Sequence, residues 1–389
     1  MYPPHHLGGY ELTWRSAVRH LRTRGHEVGV LTTDYRDPSP EGDIPEDPSV
    51  RRELRWYWRD HDFPPISRRG RLALERHNGR ILDRVLRELS PHVVNWWAMG
   101  GMSLSLIERV RRRRLPALGV VGDDWMLYGP EVDAWTRMIS RLGPAGPVAA
   151  RLLGVPSPPD LSEALWLFNS EATRRRSRES PFSVDRAEVA HPGIDTSLFR
   201  PAPEHGWEWR LVYVGRIDQR KGIDTAVEAL GHLPAESRLT VLGSGDESFM
   251  GELRTLAARL GVQDRVEFGL LPRHELPAAY AQADALLFPV RWEEPWGLVP
   301  LEAMAVGLPV VATGTGGSAE YLRDADNALV TGRDATPEMF AEAVRRLAVD
   351  QPLRRRLREG GMRTAAAFSE HAYNERIASA LAVATGLGR

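Results

Sequence analysis

The chain has 389 residues, more than one hydrophobic core usually serves, so two domains of roughly 150 to 200 residues with a cleft between them are expected. A hydrophobic share of 42%, a charged share of 26% and a net charge of −1 fit a globular protein and argue against nucleic acid as the main partner. Cysteine is absent, which excludes disulfides, thiolate catalysis and thiolate metal sites; no apolar run approaches the ~18 residues of a membrane span, and residues 1–10 lack a secretory signal, which predicts a cytoplasmic protein.

Gly8 and Gly9 open a periodic segment over 10–24 that reads as a helix, followed by a β-branched run over 28–32. Nothing resembling a strand precedes Gly8 and Gly9, although in a doubly wound sheet that strand is central, so the chain is expected to begin inside a longer reading frame or to have been cut. Residues 34–71 form a charged, aromatic insertion with Trp56, Tyr57 and Trp58 near Asp60, His61 and Asp62; it reads as a ligand-binding excursion or as aromatic packing under a loop. Apolar runs at 93–97, 117–121 and 165–169 alternate with helical patterns, and a second series follows at 211–214, 239–242, 285–289 and 309–312. Such alternation predicts an α/β fold with parallel sheets. The expected division is a first domain over 1–194, a Pro-containing linker over 195–209, a second domain over 210–368 and a last helix over 369–389 that crosses back to the first.

Lys221 is the only lysine in an arginine-rich chain, a bias of high-GC bacterial coding sequence. Arginine runs at 111–114, 174–176 and 354–356 read as solvated helix faces, with an anionic membrane surface, reached by peripheral contact at the inner membrane face, or a nucleic-acid surface as the alternative.

The sharper chemistry lies in the second series. Val212-Tyr-Val-Gly-Arg216 and Asp218-Gln-Arg-Lys-Gly222 read as a strand whose turn opens a helix. That places Arg216 and Lys221 at a strand's carboxyl end, beside a helix N-terminus that favours anions, and a diphosphate suits such a site. Arginine would serve a merely solvated face equally well, so the lone lysine points to a ligand. Leu242-Gly-Ser-Gly-Asp246 is as often plain turn chemistry as phosphate contact. The strand end at 266–272 offers backbone hydrogen bonds at Leu271 to a flat heterocycle, or is an ordinary loop. Glu294 falls in the loop after a strand and Glu302 on the helix after it. The two carboxylates bracket a helix start over 298–300, whose N–H groups suit phosphate, and each carboxylate can accept from vicinal hydroxyls. In the first series, Val121-Gly-Asp-Asp-Trp125 sets Asp123 and Asp124 after a strand, as hydroxyl-binding groups or as a helix N-cap and a solvated neighbour.

With these motifs the chain resembles the family 4 retaining glycosyltransferases, whose GT-B fold sets two Rossmann-like doubly wound domains about a central cleft. Glu294 and Glu302 match the family's Glu-x7-Glu pattern. The resemblance covers nearly the whole chain, through Gly8-Gly9, Arg24-Gly-His-Glu-Val28, Ser170-Glu-Ala-Thr173, Pro192-Gly-Ile-Asp195, Gly215-Arg216, Lys221-Gly222 and Gly307-Leu-Pro-Val-Val311. It implies that Arg216 and Lys221 bind the donor diphosphate, Glu302 the ribose and Glu294 the transferred sugar, with Gly8 and Gly9 approaching the phosphates from the other domain. Trp296, Gly297, Leu298, Val299 and Leu271 complete the implied donor set. Many relatives carry His-Asp after the fourth strand of the first domain; here Gly122 takes the histidine's place, Asp123 matches the aspartate and Asp124 is added. The implied substrates are a nucleotide-diphosphate sugar and an acceptor that is a small molecule, a glycan or lipid-linked, with no resident cofactor and no metal. Loops such as 34–71 would discriminate acceptors. The alternatives are a sugar-nucleotide epimerase or hydrolase of the same fold, a non-catalytic nucleotide-sugar binding protein, and a metal-binding role for Gly122-Asp-Asp124, against which two α/β series argue.

Overall fold

The computed structural model of the chain describes residues 1–6, 8–37, 44–58 and 63–386, so Asp60, His61 and Asp62 lie outside the described residues. The chain divides into one unit of Met1–His191 with Asn374–Arg389 and a second of Pro192–Tyr373. The first unit contains β1 (Val30–Thr33), β2 (Val50–Leu54), β3 (Val94–Trp97), β4 (Ala117–Val121), β5 (Leu165–Phe168) and β6 (Arg186–Val189). The second contains β7 (Arg210–Val214), β8 (Arg238–Leu242), β9 (Val266–Gly269), β10 (Ala285–Phe288), β11 (Val310–Ala312) and β12 (Leu329–Val330).

In the second unit the strands run in the order β12-β11-β10-β7-β8-β9, all pairs parallel. Because successive side chains of a strand point to opposite faces, Leu211, Tyr213, Leu287 and Val311 enter one core while Val212, Val214, Leu286 and Phe288 enter another. Such strands read as unbroken apolar runs, which is why the sequence located them to within a residue or two. Strand order reverses between β7 and β10, and the loops leaving their carboxyl ends border the crevice where open α/β sheets bind ligands. Residues 195–209, expected as a linker, are part of this unit: Phe199 is in its core and Ala202 N–H donates to the Val306 carbonyl at 3.0 Å.

The first unit has two parallel sheets, β1-β2 and β3-β4-β5-β6. Among the described residues no strand precedes the helix Gly9–Thr23; Tyr2 and His5 form an isolated bridge, and Tyr2 packs with Val18, Val30 and Val50. β2 lies inside the segment 34–71 that the sequence presents as an insertion. Its Val-Arg-Arg-Glu-Leu sequence buries only the two ends, and its charged middle is tied down by ion pairs of Arg51 with Glu88, Arg52 with Glu46 and Glu53 with Arg84. Those charges mask the alternation expected of a strand. Nearby, Trp56, Trp58 and Tyr35 pack ring on ring, while Tyr57 turns into the core. The helix Glu370–Ala384 begins in the second unit and from Asn374 belongs to the first, where Asn374 donates to Ser16 Oγ at 2.8 Å. Among the described residues no helix is long and apolar enough to cross a membrane.

Two carboxyl groups are buried in the first unit. Glu75, on the helix Arg68–Leu89, accepts from Tyr57 Oη at 2.6 Å and from Ser105 Oγ. Asp133 accepts from the N–H groups of Leu104, Trp135 and Thr136 and from Thr136 Oγ1. Burial raises the pKa of both, and the charge of Asp133 raises Glu75 further, while the four donors favour an ionised Asp133. The proton therefore resides on Glu75. A raised carboxyl pKa contributes stability that is complete below the unfolded pKa and is lost as pH rises through the folded one. The melting temperature is expected to fall as pH is raised from about 5 to about 9, and Glu75→Gln should flatten that slope. An unchanged slope in thermal melts of the variant would place the titration elsewhere.

Candidate functional site

The site is built by two loops of the second unit. After β7 the chain passes through Gly215, at φ 140°, to Arg216, Asp218 and a 3₁₀ turn Gln219–Lys221 that ends at Gly222 in the left-handed region. Asp218 accepts from the Arg220 side chain at 2.6 and 3.0 Å and from its N–H, and the guanidinium bonds lead in holding its carboxyl down at about 2. Gly222 is required twice over: its φ is 69°, and a Cβ there would lie 2.0 Å from the Pro289 carbonyl oxygen. That close approach lets the β10 loop lie against the β7 loop, where Arg291 N–H donates to the Arg220 carbonyl at 3.0 Å. Gly243 is similar, since a Cβ would meet the Gly215 carbonyl oxygen at 1.9 Å.

Across this junction Lys221 Nζ meets Glu294 Oε2 at 2.7 Å, and Trp292 Nε1 donates to the same oxygen at 2.8 Å. Both charged side chains are largely buried, 15% and 10% exposed. A pair so placed holds only if its geometry is good and its remaining polar atoms find partners; the indole donor supplies one. The Trp292 ring also lies under two cations, 4.5 Å from the Arg220 guanidinium and 5.4 Å from Lys221 Nζ. Arg216 is exposed and makes no ion pair among the described residues. The β10 loop is braced from behind: Gly317 N–H donates to the Glu294 carbonyl at 2.6 Å and Thr315 Oγ1 to the Trp292 carbonyl at 2.7 Å. Gly316, at φ 58°, leaves room for the Glu294 backbone.

The helix Leu298–Val306 starts immediately beyond, with Gly297 at its N-cap in the left-handed region and no side chain capping its first turn. The helix dipole and the open first turn at Leu298 and Val299 favour an anion there. Glu302, one turn along and 2% exposed, is held by Arg273 at 2.6 Å and by Tyr280 Oη at 3.2 Å. The Trp296 ring is 3% exposed, its Nε1 donating to the Pro192 carbonyl at 2.9 Å and its edge against Tyr321 and Phe368, so it braces the loop from the core side. Leu271 packs against the same core, while its neighbour Leu270 is 70% exposed at the end of β9.

The structure thus places Lys221, Glu294, Gly297, Leu298, Val299 and Glu302 on the segments that follow the central strands β7 and β10 of the second unit's sheet, while Asp123, Gly8 and Gly9 lie in the first unit. Trp292, Arg273 and Tyr280 were not singled out from sequence. Trp292 carried a signal, standing two residues before Glu294; Arg273 and Tyr280 meet Glu302 only through the packing of a separate helix.

In the first unit Gly8 is the N-cap residue of the helix Gly9–Thr23, again with no side-chain cap. Asp123 accepts from Tyr128 Oη at 2.7 Å and from Trp125 N–H at 3.3 Å, and burial pushes its pKa up to about 6. Asp124 occupies the N-cap position of the helix Trp125–Val132 without capping it and pairs with Arg176 at 3.1 Å. Neither carboxylate is a solvated neighbour. The space that a side chain at Gly122 would take holds the Tyr10 ring, 2.5 Å from the position of a Cβ, and Tyr10 is pinned by its hydroxyl bond to the Val120 carbonyl and by Ala98 N–H.

Residues 196–364, most of the second unit, match the model of the family described as Glycosyl transferases group 1. The D-inositol 3-phosphate glycosyltransferase of Xylanimonas cellulosilytica is 34% identical over 229 residues, covering 54% of this chain and 54% of that protein. The GDP-mannose-dependent alpha-(1-6)-phosphatidylinositol monomannoside mannosyltransferase of Mycobacterium tuberculosis is 35% identical over 205 residues, 47% of this chain and 52% of that one. The chain spans about half the length of the curated relatives it matches. Among solved structures, Anabaena HepE in complex with UDP and glucose aligns with a TM-score of 0.70 at 20% identity over 96% of each chain. The likeness shows the fold: this chain has the two-domain GT-B architecture.

Gly122→Ala is expected to destabilise the first unit by about 1–3 kcal/mol, because the pinned Tyr10 ring cannot swing away. Adding Tyr10→Ala should remove the clash, so that Gly122→Ala costs less in that background; equal costs in urea denaturation of the two backgrounds would show that the ring does not set the limit.

Proposed function

We propose that the chain is a retaining glycosyltransferase that moves a sugar from a nucleotide-diphosphate sugar to an acceptor hydroxyl. The observation that carries this is the Lys221–Glu294 pair, set at the switch point between β7 and β10 and beside the uncapped start of the helix Leu298–Val306. A cation and an open helix start in one place suit a diphosphate, and the adjacent carboxylates suit sugar hydroxyls.

In this reading Arg216, Lys221 and the N–H groups at Leu298 and Val299 hold the diphosphate and stabilise its charge as it leaves. Glu294, oriented by Lys221 and Trp292, takes hydroxyls of the transferred sugar. Glu302 keeps lone pairs for the ribose beyond those used by Arg273 and Tyr280. The acceptor oxygen bonds to the anomeric carbon on the face from which the phosphate departs, and the acceptor's proton passes to the leaving phosphate oxygen. Asp123 serves donor-sugar or acceptor hydroxyls. Two named relatives that act on an inositol phosphate and on a phosphatidylinositol mannoside support a hydroxyl-rich acceptor, soluble or lipid-linked.

Titration calorimetry against a panel of nucleotide sugars, followed by product analysis with and without acceptor, tests the reading. Lys221→Ala should lower kcat/KM by about a hundredfold to a thousandfold, and Lys221→Arg should not restore it, because the planar guanidinium cannot replace a point charge at Glu294. Full turnover in the alanine variant would remove Lys221 from the donor site. Donor binding without any product would favour a non-catalytic binding protein.

A further inference from the structure

A surface of the first unit, made of none of these residues, combines exposed apolar groups with positive charge that finds no ion pair among the described residues. The helices Ala134–Ser140 and Gly146–Leu152, joined through the 3₁₀ turn Gly143–Ala145, are anchored to the core by Trp135, Ile139, Ala150 and Val155. With that face inward, the opposite one projects Leu142, Val148 and Leu152, which are 49%, 60% and 82% exposed. Val148 and Leu152 stand four residues apart and so share one helix face. Isolated exposed apolar residues need no explanation, but three within eleven positions of one helix–turn–helix segment are a local concentration.

Charge is equally one-sided. From 134 to 159 the sequence contains no Asp or Glu, while Arg137, Arg141 and Arg151 border the apolar group. None of these three makes an ion pair among the described residues. Most of the arginine runs that stand out in the sequence are committed: Arg111 and Arg112 pair with Glu108, Arg113 with Asp83, Arg174 with Glu171 and Arg176 with Asp124. In a chain with 51 cationic and 52 acidic residues, a stretch of this length without a carboxylate is the exception.

We propose that this surface docks on an anionic lipid bilayer, Leu142, Val148 and Leu152 entering the headgroup boundary while Arg141 and Arg151 meet lipid phosphates. A second protein is a poorer match. Three side chains bury much less than the roughly 800 Å² per partner of a stable complex, whereas interfacial insertion needs only a shallow apolar tip with cations around it. The proposal is independent of the donor-site assignment.

Co-sedimentation of the full chain with phosphatidylcholine vesicles, with and without phosphatidylglycerol, tests it. Binding is expected only to the anionic vesicles and should weaken with added salt. Arg141→Gln with Arg151→Gln should lower the partition coefficient about thirtyfold, and Leu142→Asp with Leu152→Asp should abolish binding. All four positions are exposed, so thermal melts of both variants should match the parent; if the aspartate pair unfolds, the glutamine pair carries the test. Absence of binding to anionic vesicles, or binding unchanged in a folded variant, overturns the proposal. So does self-association in sedimentation velocity that Leu152→Asp removes while vesicle binding is absent, which would make the patch an interface between copies of the chain.

Discussion

The Lys221 ammonium and the Glu294 carboxylate meet at 2.7 Å where the strand order of the second sheet reverses, and the loops on both sides are shaped around that contact. Taking two charges largely out of water is expensive, and the attraction between them repays it only when the geometry is fixed by neighbours. Here it is fixed from several directions: Trp292 donates to the shared oxygen, Gly222 lets the Pro289 carbonyl approach, and Gly316 and Gly317 secure the Glu294 backbone. Gly222 and Gly316 each allow a close backbone approach and Gly317 adds a hydrogen bond, so the two loops brace one another. A site held in this way meets its ligand with charges already placed, which is how electrostatic stabilisation avoids reorganisation during a reaction.

Glu302 shows a second form of the same constraint. It is almost wholly buried, yet Arg273 and Tyr280 supply it with partners from a different helix, so its orientation depends on how that helix packs. Trp296 bears on the loop from the core side, linking the carbonyl of Pro192 to the ring cluster of Tyr321 and Phe368. The residue therefore connects the beginning and the end of the second unit through the loop that carries Glu294.

The first unit solves its packing differently. After β4 this chain has a glycine, Gly122, and an aromatic ring from the first helix fills the volume a side chain there would take. Asp123 stays beside it, buried enough to raise its pKa and tied to Tyr128. The polarity of that corner is thus supplied by a carboxyl and two tyrosine hydroxyls, Tyr10 and Tyr128.

The alternation of apolar runs with helical patterns located the central strands of both units and their parallel arrangement, because strands buried on both faces must be apolar throughout. The spacing of Glu294 and Glu302, and the solitary lysine at 221, marked the donor-site candidates because those residue types are informative without knowledge of what surrounds them. The edge strand β2 escaped notice because one exposed face and three charged residues remove the pattern that identifies a strand. Partners brought together from distant segments, such as Arg273 with Glu302 or the Tyr10 ring over Gly122, leave no trace in local sequence. The same holds for the arginines: residue type alone could not separate those neutralised by a facing carboxylate from Arg141 and Arg151, which make no ion pair among the described residues, since a charge finds or lacks its partner only when the chain folds.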